Sequence, residues 1–361
     1  MHNHNIYKTP HDITLLAKQW KELHSYMEAP TSNCDWMLSA AEHLLGNTDL
    51  YLIVALENNN PIAFAPLVKS DGYFNPALQL GESHGEPGDF SYRDSTSLQV
   101  LAEALAKLRM PLSLHRIPAD SPVISALQKA YHGKGLVFIR PNDGCPYIDI
   151  KGDAEQTVAN LSSRLRSDLR RAARRAATKG EVSFEIHSPS TSEEFMPLWQ
   201  EALQVEAASW KGESGSALVK DDRMRAFYES YAIRAAKNGT LHLCFMKING
   251  IAVAMQIALQ ESDCFWLLKV GYNEAFSKCS PGMLLMEWTL RYAATQGLKS
   301  YEFLGVASGW TDRWSKKTRK NETVLVFPYT PRGMVLFTRN AFKYIWARKQ
   351  DLLKQKLFKR K

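Results

Sequence analysis

One hairpin is written twice in this chain, and that repetition limits what the chain can fold into. Leu50–Leu56 (LYLIVAL), an Asn-rich turn and Ile62–Lys69 (IAFAPLVK) form the first copy; Leu241–Lys247 (LHLCFMK), the turn INGI and Ala252–Leu259 (AVAMQIAL) form the second. Segments that alternate or run apolar around a short polar turn read as paired strands. The pattern Ile-Ala-x-Ala follows the turn both times, at Ile62–Ala65 and Ile251–Ala254, and each copy comes after a helix-rich segment. Two copies of one unit is the economical reading. A length of 361 residues also suits two cores rather than one. The expected class is α/β (α+β), with each unit a mixed twisted sheet flanked by helices. The expected division is residues 1–150, residues 151–330 and a tail over 331–361.

The formal charge of +8 has to be located before it is interpreted. Arg332 to Lys361 holds ten Lys or Arg and one acid, a local +9, so the body sums to −1. That balance argues against a nucleic-acid-binding body with a broad basic face. The tail sets Phe337, Phe342, Ile345, Trp346, Leu353 and Leu357 among basic residues, as in a helix that lies on an anionic membrane surface or packs on the body. No apolar run approaches a membrane span, and the N-terminal MHNHNIYKTPHD has no signal-like core. A cytoplasmic protein is expected, or one peripheral on the inner face of the cytoplasmic membrane. The five cysteines are scattered without CxxC spacing, which predicts reduced core thiols and no metal site.

The most informative stretch is Phe265 to Gly309, which reads strand, loop, helix, strand. Ser280-Pro281-Gly282 opens the helix: Ser is expected to cap it, Pro suits the first helical position, and Gly leaves the backbone bare. Such a start can hold a phosphate, or it can be an ordinary crossover. The first copy has GEPGDF (Gly85–Phe90), which leads to a helix near Ser97–Lys107 but does not run directly into it, so it lacks this start and is expected to hold no cofactor. Lys269 is a cation within an apolar strand, where burial demands a partner; it contacts substrate or phosphate, or it forms a structural salt bridge.

Between the units, Thr157 to Lys179 reads as one long helix with Leu161, Leu165, Leu169, Ala172 and Ala176 on its apolar face. Six arginines between Arg164 and Arg175 cover the rest, either as a solvated face or as an anion-binding rim. Trp210 and Lys211 introduce a Gly/Ser-rich loop of the kind that often touches substrate, although Trp210 could equally plug the core. Trp310, Arg313 and Trp314, at helical spacing, could line one wall or pack as a lid.

Taken together, the tandem hairpins, the arginine helix, the SWKG loop, the SPG helix start and YEFLG-x4-W resemble the acetyltransferases of the BioF2-like and CelD-like type. These belong to the GNAT superfamily and are similar in layout to the Fem peptidyltransferases. The resemblance covers residues 30 to 330 and implies an acyltransferase, with acetyl-CoA or another acyl-CoA as co-substrate and no metal. The acceptor would be an amine or hydroxyl of a small molecule, a glycan or a lipid-linked envelope precursor. It implies that Ser280, Pro281, Gly282 and Met283 cradle the pyrophosphate, while Val270 and Tyr272 on the splayed strand meet the pantetheine arm. Glu206 would serve as base, with Lys269 beside the reacting groups and Trp210, Lys211, Trp310, Arg313 and Trp314 toward the acceptor. The usual cradle pattern is Q/R-x-x-G-x-G/A, whereas the run here is KCSPGM with one glycine. The alternatives are a Fem-type transferase drawing on aminoacyl-tRNA, which the six arginines would suit, and a non-catalytic membrane-docked scaffold.

Overall fold

The computed structural model describes residues 2–23, 29–81, 85–209 and 218–358, except the side chains of Val219 and of residues after Trp346. The strands are β1 (His2–Tyr7), β2 (Thr48–Glu57), β3 (Asn60–Ser70), β4 (Ala77–Gln79), β5 (Ser91–Tyr92), β6 (Leu112–Pro118), β7 (Gly135–Asp149), β8 (Val182–His187), β9 (Leu241–Ile248), β10 (Ile251–Glu261), β11 (Cys264–Tyr272), β12 (Ser300–Glu302) and β13 (Thr318–Pro328). The helices are α1 (Pro10–Lys21), α2 (Cys34–His43), α3 (Ser95–Leu108), α4 (Pro122–Tyr131), α5 (Ala154–Ala159), α6 (Ser163–Ala177), α7 (Ser192–Ala207), α8 (Asp222–Lys237), α9 (Pro281–Thr295) and α10 (Pro331–Phe358).

The strands form one sheet in the order β1-β2-β3-β4-β6-β13-β7-β12-β11-β10-β9-β8, with β5 beside β3. Read inward from either edge, the two halves match strand for strand. β1-β2-β3-β4 and β8-β9-β10-β11 are antiparallel throughout; β4/β6 and β11/β12 are the two parallel pairs; and β13 and β7 each close a half antiparallel. The repeated hairpin is thus part of a repeated sheet, and the fold is a tandem GNAT-like α/β arrangement. The closing strands come from the other half of the sequence. β13 lies between β6 and β7, and β7 runs on past it to pair its last residues with β12.

Alternation along the strands buries both faces. Leu52, Val54 and Leu56 of β2 enter a core shared between the halves, while Ile53 and Ala55 enter a second core under α3 and α4. In β9, Leu243 and Phe245 join the shared core, and Cys244, Met246 and Ile248 join a third core under α6 and α9. At the centre of the shared core Trp36 of α2 meets three rings of α8: Phe227 at 4.8 Å, Tyr231 at 4.9 Å and Tyr228 at 6.2 Å, all edge-on.

One helix differs from expectation. The segment 157–179 is not one helix: Ser162 caps Leu165 N–H and starts α6 afresh after α5. Its predicted apolar face, Leu161, Leu165, Leu169, Ala172 and Ala176, is buried as a set. At the other end of the chain, α10 docks its first turns through Leu336 against Leu325 and Phe327, with Phe337 stacked on Phe138 at 5.4 Å, and further along Tyr344 lies against Arg140 at 4.4 Å.

Glu302 sits at the joint of the halves with its carboxylate 3% exposed; it accepts from Arg319 at 2.7 Å and from the Ser300 hydroxyl at 2.7 Å. Arg319 also lies 3.7 Å from the centre of the Tyr147 ring. Removing the cation strands a buried charge. Arg319→Ala should lower unfolding free energy by about 2–4 kcal/mol in urea titrations, and adding Glu302→Gln should restore part of it.

Candidate active site

β11 is the element on which the site is built. It pairs with β10 along its whole length but with β12 only at Cys264–Trp266. After Glu302 the chain turns off: Leu304 takes the left-handed region at φ 55°, and Phe303 N–H bonds back to Pro146 O. Beyond Trp266 the outer edge of β11 has no strand beside it among the described residues. A splay of this kind leaves backbone donors and acceptors facing a cleft.

A bulge then re-aims the side chains. The β10/β11 register shifts between Ile257, opposite Lys269, and Ala258, opposite Leu267, so Leu268 is the extra residue. Phe265 and Leu267 belong to the core under α9, and unbroken alternation would send Lys269 there too. Instead Lys269 lies on the side shared with the first half, its Nζ 4.5 Å from the centre of the Tyr228 ring. Among the described residues it makes no ion pair within 4 Å. Burial pulls its pKa below the usual lysine value, opposed by the charges of Glu206 and Glu86. The same burial, reinforced by those two acids, holds the Tyr228 phenol protonated far above its ordinary range.

Glu206, on the last turn of α7, is fully buried and accepts the Leu218 N–H at 2.9 Å. It backs directly onto Gly271 of β11, where an added Cβ would come within 3.1 Å of Glu206 Cα, so only glycine lets α7 lie this close. Trp210 and Lys211 lie outside the described residues. The segment containing them leaves from Ser209, next to the Ala208 carbonyl that accepts Glu274 N–H, and returns at Leu218.

The start of α9 corrects one expectation. Ser280 does not cap it with its side chain: Ser280 sits at φ 48°, ψ 52° because its N–H closes the preceding 3-10 turn, Glu274–Cys279, on Ser277 O. A capping hydroxyl needs extended backbone at that residue, which this closure denies. The first-turn N–H groups therefore lack a side-chain acceptor at the cap position. Pro281 is buried, and Gly282 lies beside Tyr272, where an added Cβ would stand 3.4 Å from Cδ1, an ordinary contact. Val270, Tyr272 and Met283 pack half-buried against the core under α9.

The Trp310, Arg313 and Trp314 wall is not assembled. These residues flank the 3-10 turn Thr311–Arg313, in which positions three apart eclipse and positions four apart diverge. Trp314 turns into the core under α9, whereas Trp310 stays exposed against Phe303 at 5.6 Å and Arg313 pairs with Asp168 of α6 at 2.6 Å.

The first half contributes what sequence reasoning assigned to the second half alone. Arg116 of β6, buried and at φ 54°, donates to Leu304 O at 3.3 Å, Gly305 O at 2.8 Å, Cys145 Sγ at 2.8 Å and, closely, Gly85 O. One guanidinium thus ties the GEPGDF loop to the chain where it leaves β12. It stands 3.9 Å from Glu86 Oε2, an oxygen buried without a hydrogen-bond partner among the described residues. Glu86 and Trp36 line one small cavity, and Trp36 meets Tyr228, on which Lys269 rests. Burial pushes the Glu86 carboxyl up to about 7, opposed by Arg116 and then Lys269. The sequence signal for this was positional: in the strand order, GEPGDF follows β4 as the α9 start follows β11.

The arrangement brings a cation and two carboxylates toward the splayed edge and presents beyond it a helix start that no side chain caps. No curated protein matches the chain in sequence. In fold it is similar to the C-terminal domain (DUF2156) of a proposed lysylphosphatidylglycerol synthetase from Agrobacterium fabrum, at TM-score 0.56 and 11% identity over 92% of this chain and 95% of that one. L-PGS from Bacillus licheniformis gives 0.55 and 16% over 91% and 96%, and FemX gives 0.55 and 11% over 89% and 96%. Residues 163–312, from α6 past β12, match the family described as acetyltransferase (GNAT) domain, a match that supports a transferase.

Proposed function

We propose that the protein moves an acyl group, acetyl in the simplest case, from acyl-CoA to an amine or hydroxyl of a sugar or other cell-envelope precursor. The observation that carries this reading is the match of residues 163–312 to an acetyltransferase domain with β11 splayed from β12 inside it. The residues fit the donor: the α9 start has no side-chain cap, and Gly282 adds none, so Ser280, Pro281, Gly282 and Met283 would receive the pyrophosphate. The edge of β11 beyond Trp266 would carry the pantetheine arm, with Val270 and Tyr272 beside it. Lys269 supplies positive charge beside the thioester oxygen, and Glu206 fixes both the turn at Leu218 and the field at Lys269.

A second donor, aminoacyl-tRNA, is favoured by one observation. Arg164, Arg170, Arg171, Arg174 and Arg175 are all exposed on α6, and α6 packs beside the 3-10 turn that leads into α9. That is a concentrated phosphate-binding face next to the same helix start.

The acceptor reading places the protein at a membrane surface. No helix among the described residues is long and apolar enough to cross a membrane. On α10, however, Val335, Phe342, Ile345 and Trp346 are exposed at spacings of seven, three and one, which makes one stripe. With the +9 of the tail, that stripe suits anionic lipid.

Thiol release over a panel of acyl-CoA donors tests the donor. Gly282→Asp sets a carboxylate against the phosphates at little steric cost, so KM for acyl-CoA should rise at least ~10-fold, with the melting temperature nearly unchanged. Absence of CoA binding by calorimetry, together with transfer from charged tRNA that Arg170→Glu/Arg174→Glu abolishes, would establish the second donor instead. In vesicle sedimentation, the full chain should bind lipid containing phosphatidylglycerol and not pure phosphatidylcholine. Phe342→Glu/Trp346→Glu should lose that binding and keep activity toward a soluble acceptor.

A further inference from the structure

The site has two buried carboxylates, and their surroundings differ in a way that separates their roles. Glu206 is fully buried behind Gly271, and one of its oxygens accepts the Leu218 N–H. Glu86 comes from the other half of the molecule and, unlike Glu206, keeps 19% of its side chain exposed, with Oε2 at 3.9 Å from the Arg116 guanidinium. Its loop is fixed by Arg116 to Leu304 and Gly305, the residues at which the chain departs from β11. The bulge in β11 turns Lys269 toward the same side.

We propose that Glu86 is the general base of the transfer reaction, supplied to the splay of the second half by the loop of the first. The acceptor nitrogen or oxygen attacks the acyl carbonyl carbon, forming the new C–N or C–O bond. Its proton passes to the Glu86 carboxylate as the tetrahedral adduct forms. The adduct collapses by breaking the bond to the leaving group, the CoA thiolate in the thioester case, which takes the proton back and regenerates the carboxylate. Lys269 faces the developing oxyanion. Glu206 is a positioning residue in this scheme.

The charged and titratable groups around Glu86 are Arg116 and His115 of β6, Cys145 of β7, Lys269 of β11 and Tyr228 of α8. Both cations favour the carboxylate, yet burial outweighs them and leaves the group half-protonated near neutrality, where a base is most effective. The folded value of about 7 lies above the ordinary 4.5, so the folded state keeps a proton that the unfolded chain releases between those values. The stability this group contributes is full below about pH 4.5 and falls as pH rises to 7.

This assignment rests on acyl transfer, and the test keeps the two apart. In thiol-release kinetics on the full chain with amine acceptors, Glu86→Gln should lower kcat at least ~100-fold, with KM for the donor within about threefold. The acidic limb of its pH profile should vanish, and Glu86→Asp should retain part of the rate. The same Glu86→Gln should melt about 2–4 °C above wild type at pH 8, and level with it at pH 5. A Glu86→Gln enzyme within threefold of wild type with its acidic limb intact would overturn the role of Glu86 and leave acyl transfer standing. Wild-type protein that transfers from neither acyl-CoA nor charged tRNA would overturn both.

Discussion

Everything about the cleft depends on one buried guanidinium. Arg116 leaves β6 in a left-handed backbone conformation and spends its donors on carbonyls from two distant places, Gly85 and Leu304–Gly305, and on the Cys145 sulfur. A buried arginine without such acceptors would be costly. Its acceptors are also the points that must be fixed: one positions Glu86, and the others hold the end of β12 away from β11. The opening of the sheet and the arrival of the carboxylate are therefore one event. Because hydrogen bonds to a charged donor are the stronger kind, this clamp can resist the tendency of two parallel strands to continue pairing.

The pseudo-symmetry explains how two similar units come to divide the work. Both halves have a short parallel pair that opens, β4/β6 and β11/β12. In the second half the chain after the opening becomes a helix without a side-chain cap; in the first an extended Gly- and Pro-rich loop comes before α3, whose start Asp94 caps. That loop brings Glu86 to the boundary of the two halves, where Arg116 holds it against the chain leaving β12.

How much of this could be read beforehand follows from how far each signal travels along the chain. The hairpins, the buried face of α6 and the order strand, helix, strand over 265–302 were legible, since each is set by residues within a turn or a strand length. The division of labour was not. Glu86 looks like an ordinary loop acid, and its burial comes from Arg116, Trp36 and Lys269, brought together from three remote segments. β13 was missed for a related reason. Its first five residues, TRKNE, are polar, and its partners begin at Leu112 and Gly135. Ser280 and Trp314 misled in the opposite direction. Their local sequence suggested a cap and a wall, and in both cases a 3-10 turn changed the phase.

The exchange of closing strands has a consequence for how the protein is made. β13 fills the gap between β6 and β7, so the sheet of the first half cannot close until residues 318–328 have left the ribosome, nearly the whole chain after β1. Until then β6 and the leading part of β7 expose open edges, and edges of that kind recruit other strands. Synthesis of such a chain cannot proceed as two finished units in succession. The halves mature together, and a cell that makes this protein must shelter its first half for most of the time taken to translate it.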